Sequence, residues 1–241
     1  VIALSQIDHD RFGIVTARAP DVAAATVGEV LAFCRANDVR MLIARCGTAD
    51  LAAAQALEAA GGRLMDTLVY WSRKLDGSDL PGHSCKVTIR PVRPGDETEV
   101  QAVARETFRG YTGHYHADPR LDRTRCDEVY ASWAERSCVS RDVAGEVLVA
   151  DDGRVAGFAT LRMNDAEEGE GVLFGVAERS QGAGIYRAFM VEGMRWCRAR
   201  GASRMVVSTQ VTNLAVQKVW SRLGFEPSRS YYTFHLWFDD A

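Results

Sequence analysis

The stretch "GVAERSQGAGIYRAFM", residues 175–190, changes character halfway. It leaves an apolar run, passes through Gly182 and Gly184, and enters a pattern of helical period. The first turn of a helix has backbone N–H groups without intrahelical partners and a partial positive charge, so it attracts phosphate oxygens. Glycine ahead of that turn lets the backbone take conformations a side chain would obstruct and lets a ligand come close. A G-x-G also serves as a plain structural turn, so its surroundings must decide between the two readings. The chain has no G-x-x-x-x-G-K-[ST], and the third glycine of a dinucleotide fingerprint is missing, Ala188 standing near its place.

Outward from this stretch, strands and helices alternate. "KVTIRPV" (86–92) reads as a strand, 95–109 and 122–138 as helices, and "EVLVADDGRVAGFATLRM" (146–163) as a hairpin turning at Asp152 and Gly153. "GVLFGVA" (171–177), a helix over 183–200, "RMVVSTQ" (204–210), a helix over 213–223 and the strand "SYYTFHLWF" (230–238) complete the series. Upstream, "VRMLIARC" (39–46) and "LMDTLVYWSRKL" (64–75) read as strands, with helical patterns at 21–37 and 49–60. Between the two parts "LDGSDLPGHSC" (75–85) gathers Gly, Asp, Ser and Pro, which predicts a small N-terminal α/β domain over 1–78 and a larger one over 86–241.

The two parts resemble each other. "FGIV" at 12–15 answers "FGVA" at 174–177, "FCRANDVRML" at 33–42 answers "WCRARGASRMV" at 196–206, and "ADLAAAQALEAAGG" at 49–62 answers "TNLAVQKVWSRLGF" at 212–225. This suggests a duplicated half-domain, or two α/β units alike only in using the same amphipathic residues. Where the second copy has "ERSQGAGIY" the first has "TARAPDVAA", without glycine, so only the second can use a glycine turn.

Composition narrows the class. The chain has 241 residues, 47% hydrophobic and 25% charged, with a net charge of −3 and neither sign in a block, so small molecules are expected as partners and neither nucleic acid nor membrane. No apolar run nears the roughly 20 residues of a membrane span, and "VIALSQIDHDRFG" has no basic region leading into a cleavable apolar one, which predicts a cytoplasmic protein. The six cysteines are scattered with no C-x-x-C pair and no histidines at zinc-cage spacing, so no metal is expected.

Three motifs in order carry a resemblance over 86–241: "IRPVRPGDETEV", the turn "VAERSQGAGIY" and "NLAVQKVWSRLGF". They are similar to the first strand and helix, the [QR]-x-x-G-x-[GA] turn and the N-x-x-A-x-x-x-Y-x-x-x-G-F of the GNAT superfamily of acyl-CoA-dependent N-acyltransferases. The resemblance implies a mixed, mostly antiparallel α/β sheet flanked by helices, with the N-terminal part a partial copy of that fold. The turn fits in two registers, Arg179 with Gly182 and Gly184, or Gln181 with Gly184 and Tyr186 in the last small position. Either way the loop is 179–186, and the resemblance implies that Arg179, Gln181, Gly182, Ala183, Gly184, Ile185 and Tyr186 hold the pyrophosphate of coenzyme A. Phe174, Gly175 and Val176 would pair with the pantetheine arm as an added strand does, and Asn213, Gln217 and Trp220 would line it. The co-substrate so implied is acetyl-CoA or another acyl-CoA. More loosely, the whole chain resembles the members that acylate nucleotide-linked amino sugars, the dTDP-fucosamine acetyltransferase group, which also have a small α/β domain in front.

Acyl transfer to an amine needs a neutral amine, a polarised thioester carbonyl and a proton for the departing thiolate. Glu168 and Glu170 precede the strand where this superfamily often carries a carboxylate, and Glu170 is a candidate base. The N–H of Val176 is the candidate for the carbonyl. The superfamily's tyrosine in the second motif, its usual acid, corresponds here to Trp220, and indole cannot protonate a thiolate. Ser221, Tyr231, Tyr232, His235 or solvent are substitutes, and Trp220 either lines the pantetheine tunnel or fills the core. Asn213 is a helix cap, a pantetheine partner, or both. In "GYTGHYHADPRLD" (110–122), read as a loop forming the acceptor wall, Tyr111, His114, Tyr115, His116 and Arg120 are candidate substrate contacts, with His116 a candidate base. Arg120, Arg123 and Arg125 are candidates for a nucleotide diphosphate. The expected activity is N-acylation of a nucleotide-linked amino deoxysugar in a ternary complex. Another small amine, such as an antibiotic or amino acid, is the alternative enzymatic reading, and a non-catalytic acyl-CoA-binding module the alternative outside enzymes. The N-terminal part would complete the acceptor pocket or form a homodimer surface.

Overall fold

The computed structural model describes residues 2–77 and 79–238; residues 1, 78 and 239–241, at which the two expected domains begin or end, lie outside the described residues. The chain runs β1 (Ala3–Leu4), α1 (Gln6–Phe12), β2 (Thr16–Ala19), α2 (Val27–Ala36), β3 (Met41–Gly47), α3 (Leu51–Ala59) and β4 (Arg63–Lys74). It continues β5 (Thr88–Pro91), α4 (Glu97–Thr107), α5 (His114–Ala117), α6 (Arg123–Val139), β6 (Glu146–Asp151), β7 (Val155–Met163) and β8 (Glu168–Val176). The last elements are α7 (Ile185–Ala199), β9 (Arg204–Gln210), α8 (Leu214–Arg222) and β10 (Glu226–Trp237). The expected strands and helices are present, and the chain adds α1, β1 and β2 where no element is read in the sequence. The acceptor segment expected as a loop contains the buried helical turn α5.

One sheet runs through both parts in the order β1-β2-β3-β10-β4-β9-β8-β7-β6-β5. Its pairs are antiparallel except β2 with β3 and β8 with β9, so the sheet is mixed and mostly antiparallel. The last strands of the two parts are exchanged: β4 lies between β10 and β9, and β10 between β3 and β4. The exchange follows an internal two-fold. A shift of 163 residues carries β3 onto β9 (Met41 to Arg204), α3 onto α8 (Leu51 to Leu214) and β4 onto β10 (Lys74 to Trp237). The register obeys it too. Leu68 opposite Tyr231 marks the axis, Ser72 opposite Glu226 is matched by His235 opposite Arg63, and each strand is interrupted once, near Ser228 and near Met65. The likeness of 33–62 to 196–225 is therefore positional. "FGIV" is different: Phe12 ends α1 and Gly13, at φ +70°, caps it, so this segment does not match the strand that holds "FGVA".

Strand alternation sorts the side chains. Leu42, Ala44 and Cys46 of β3 pack with α2 and α3, whereas Met41 and Ile43 pack with α1, α5 and α6. Likewise Phe234 and Leu236 face the α2–α3 side. In the second part Phe189, Met194 and Trp220 of α7 and α8, with Leu223 just past α8, pack on one face of the sheet, and Val100, Val103 and Ala134 of α4 and α6 on the other. β8 is closely approached from two sides: a Cβ on Gly169 would stand 2.2 Å from Cys197 Sγ of α7, and one on Gly175 2.5 Å from the Phe158 ring of the neighbouring β7. Among the described residues all six cysteines are free thiols, and burial pushes Cys34 and Cys126 up to about 11.

Candidate active site

β8 and β9 pair in parallel only from Glu168–Arg204 to Gly171–Val207 and then part. Leu173 N–H donates to Thr160 Oγ1 and Ala177 N–H to the Ala156 carbonyl, both on β7. Between these two, alternation directs the amides of Phe174 and Val176 away from β7 and into the gap, while Val172 is the extra residue at a bulge opposite Thr160. The gap is one wall of a cavity of about 470 Å³, lined on this side by Phe174, Tyr186, Ser208, Asn213, Val216 and Trp220. Gly175 corrects the expectation for it: its amide faces β7, and its role is the close approach of Phe158.

At the end of β8 the chain makes a 3₁₀ turn over Glu178–Ser180 and then α7. Gly182 and Gly184 have φ of +80° and +79°, and a Cβ at either would meet open space, so backbone conformation and not crowding selects glycine. Gly184 is the N-cap of α7 and no side chain caps the helix. Ala188 N–H is the first to bond back, to the Gly184 carbonyl at 3.0 Å, which leaves the N–H groups of Gly184, Ile185, Tyr186 and Arg187 at a positive helix end. Gln181, Gly182, Ala183 and Gly184 are exposed there. The Arg179 side chain does not join them. It reaches back to the Val155 carbonyl (3.1 Å) and Asp152 (3.5 Å), bracing the turn against the β6–β7 hairpin.

On α8, Asn213 does not cap its helix through its side chain; Nδ2 donates to Thr209 Oγ1 (3.0 Å), and the residue lines the cavity. Gln217 is not in the cavity lining, since Nε2 donates to the carbonyls of Val211 and Asn213 and holds the preceding loop. Trp220 is 2% exposed and donates Nε1–H to the hydroxyl of Tyr186 at 2.9 Å. Indole is donor only, so the Tyr186 oxygen accepts and keeps its own proton to donate. Burial pushes the Tyr186 phenol above its usual range.

The acceptor side differs more from expectation. Tyr111, His114 and Tyr115 line the cavity, joined by Arg11, Arg18, Arg45, Leu68 and Tyr70 of the first part. The Tyr115 hydroxyl donates to Asp8 Oδ1 (2.7 Å), and Arg18 grips the other oxygen of Asp8 (2.5 Å). His116 is turned away from the cavity, its Nε2 3.1 Å from Asp127 of α6 and its Nδ1 buried without a partner. A group so placed cannot reach an acceptor in the cavity, which corrects the reading of His116 as base. Arg120, Arg123 and Arg125 are also directed elsewhere: Arg120 lies 4.0 Å over the Trp237 ring, Arg123 donates to the His116 carbonyl and Arg125 to the Arg11 carbonyl. Tyr232 packs with the α2–α3 core on the opposite face from the cavity, so it is no acid either. Glu170 lines the cavity, gripped through Oε2 by Arg162 at 2.6 and 2.9 Å. Glu168 instead ties β8 to Arg204 (2.8 Å) and Arg229 (3.6 Å).

Two buried groups that sequence reading did not bring together stand behind His114. His114 Nδ1 is 2.9 Å from His235 Nε2, and His235 Nδ1 is 2.8 Å from Asp118 Oδ2. Asp118 also accepts from Trp237 Nε1 (2.8 Å) and from the Arg120 amide (3.0 Å). No local spacing announces this row, because His235 is 121 residues from His114. Among the described residues, no group of three or more His, Cys, Asp or Glu is arranged to hold a metal ion, and no helix is long and apolar enough to cross a membrane.

Residues 104–225 match the family model described as "Acetyltransferase (GNAT) family", and the chain belongs to that family. Among curated proteins, a mycothiol acetyltransferase of Thermomonospora curvata is 32% identical over 180 residues, covering 73% of this chain and 57% of that protein. The spore coat polysaccharide biosynthesis protein SpsD of Bacillus subtilis is 24% identical over 149 residues, covering 62% and 50%. The chain spans about half the length of the curated relatives it matches. A GCN5-related N-acetyltransferase from Sphaerobacter thermophilus shares the fold, with a TM-score of 0.63 at 16% identity over 98% of this chain and 76% of that one.

Proposed function

We propose that this chain transfers an acetyl group from acetyl-CoA to the amine of a nucleotide-linked amino deoxysugar, by direct attack in a ternary complex. The observation that carries the reading is a single cavity with walls from both the β8–β9 gap and the N-terminal part. The open amides of Gly184 to Arg187 suit a pyrophosphate, and those of Phe174 and Val176 suit an extended amide-bearing arm and the thioester carbonyl. The acceptor's charge follows from the lining. Arg11, Arg18, Arg45, Arg136 and Arg162 face one carboxylate, Glu170. Arg18 and Arg162 are paired with Asp8 and Glu170, while Arg11 and Arg45 donate to the neutral oxygens of Ser132 and Thr233. Such a surplus of guanidinium favours an acceptor bearing phosphate in addition to its amine.

The departing thiolate takes its proton from Tyr186. The acid that the family carries on α8 is replaced by Trp220, and the indole reaches across to a tyrosine on α7, holding a phenol in the cavity wall. Its donated hydrogen bond also stabilises the phenolate formed when that proton leaves.

Calorimetric titration with acetyl-CoA, followed by a dTDP-linked amino sugar added to the saturated protein, tests both halves, with product analysis after it. Binding of both ligands and an N-acetylated sugar are expected; binding of acetyl-CoA alone discards this acceptor. The similarity to mycothiol acetyltransferases favours a second reading, an acceptor of that kind, and the acceptor of those enzymes belongs in the same assay. Thioester turnover with any amine excludes the non-catalytic module.

A further inference from the structure

Asp118, His235 and His114 form a buried row that ends at the cavity, and its hydrogen bonds fix which nitrogen carries which proton. Asp118 is 1% exposed and its carboxyl is held below the usual range: burial opposes this, but His235, the Arg120 amide and Trp237 all donate to it. A carboxylate accepts only, so His235, fully buried, must donate from Nδ1. Its Nε2 is then a lone pair, and His114 must donate to it from Nδ1. His114 is thereby left with a lone pair on Nε2, on a side chain that lines the cavity.

We propose that His114 is the general base of this site, with His235 and Asp118 as positioning residues that hold its tautomer and stabilise its imidazolium. The inference rests on the acyl-transfer reading. The acceptor nitrogen attacks the thioester carbonyl carbon and a C–N bond forms. The proton leaves that nitrogen for His114 Nε2, the C–S bond breaks, and the thiolate is protonated by Tyr186. The imidazolium then returns a proton to the phenolate through solvent, so the cycle closes on amide and free thiol. Burial, with His235, Arg45 of β3, Arg18 of β2 and His116 around it, holds His114 well below the ordinary histidine value, so it is neutral at working pH. Of the carboxylates on elements packed against α5, Asp127 of α6 pairs with His116 and Asp8 of α1 with Tyr115. Glu170 is a weaker candidate, because Arg162 donates to its Oε2 twice; its other oxygen suits accepting a hydrogen bond from the neutral amine of the acceptor.

The test is His114→Asn in the full chain, with a dTDP-linked amino sugar as acceptor. The asparagine amide still donates to His235 but offers no lone pair where Nε2 stood, so acetyl-CoA binding should be unchanged while kcat falls about 100-fold or more, with partial rescue by added imidazole. In Asp118→Asn the charge behind the imidazolium is lost, so the acid limb of the kcat profile should move to lower pH as kcat falls. Histidine ¹⁵N spectra of the wild type should show the proton of both His114 and His235 on Nδ1. A proton on His114 Nε2, or turnover by His114→Asn within threefold of wild type, overturns the proposal. A wild type that binds acetyl-CoA but acetylates no amine overturns the acyl-transfer reading and the base with it. Turnover by both wild type and variant sinks the base alone.

Discussion

For single residues, the proposed chemistry turns on two aromatic side chains joined by one hydrogen bond, Trp220 and Tyr186. Trp220 has the place of a proton donor in its motif but no proton to give a thiolate, and its Nε1–H is spent on Tyr186. If that phenol is the acid, Tyr186→Phe should lower kcat about 100-fold and leave the acetyl-CoA dissociation constant within about threefold. Trp220→Phe should cost far less, since it removes a hydrogen bond to the acid and not the acid. Gly184 permits a sharper expectation. Its φ of +79° is unfavourable for any L side chain although space is open around it, so Gly184→Ala costs about 1–2 kcal/mol of backbone strain at the N-cap. The change should weaken acetyl-CoA binding, read by calorimetry, more than it shifts the melting temperature.

At the scale of elements, α1, β2 and α5 are joined through one carboxylate. Asp8 accepts from Ser5, Arg18 and Tyr115, and its side chain is fully buried. Burial alone would raise its pKa, but those donors lower it below the ordinary value. The stabilisation is therefore complete above the unfolded carboxylate value of about 3.9 and is lost as the pH falls through the lower folded one. Asp8→Asn should cost about 2 kcal/mol near neutral pH, the range for a hydrogen bond to a charged group. It should also flatten the acid side of a stability profile measured by urea unfolding. Because Tyr115 and Arg18 line the cavity, the variant should raise the KM of the acceptor more than that of acetyl-CoA.

At the scale of the whole molecule, the strand exchange makes the two parts interdependent. Without residues 2–77, β9 loses its antiparallel partner β4, and β10 loses both β3 and β4. A fragment beginning at Lys86 would expose these unpaired edges beside an apolar core, which is a template for aggregation. It should be insoluble or molten, whereas the intact chain should unfold in one cooperative step by circular dichroism and fluorescence alike. The cavity makes the same point, since Arg11, Arg18, Arg45, Leu68 and Tyr70 of the first part stand in its wall.

Local structure is what the order of residues sets directly. Alternation and helical period place β3, α3, β4 and, apart from α5, the elements after Lys86 within a few residues, and the Gly182–Gly184 turn is legible because a positive φ ahead of a helix needs glycine. The repeat is legible in order and spacing, because the same backbone path imposes the same small and apolar residues twice. Which strand sits beside which follows from packing alone, since register between β4 and β10 is set by pairing across the internal axis. Packing also decides the site. His116 and Tyr232 are polar residues in the right segments but on the wrong faces, and one residue's step along a helical turn or strand reverses that. His114, His235 and Asp118 meet across 121 and 117 residues. Packing closes such distances, and no pattern of neighbours in the chain records them.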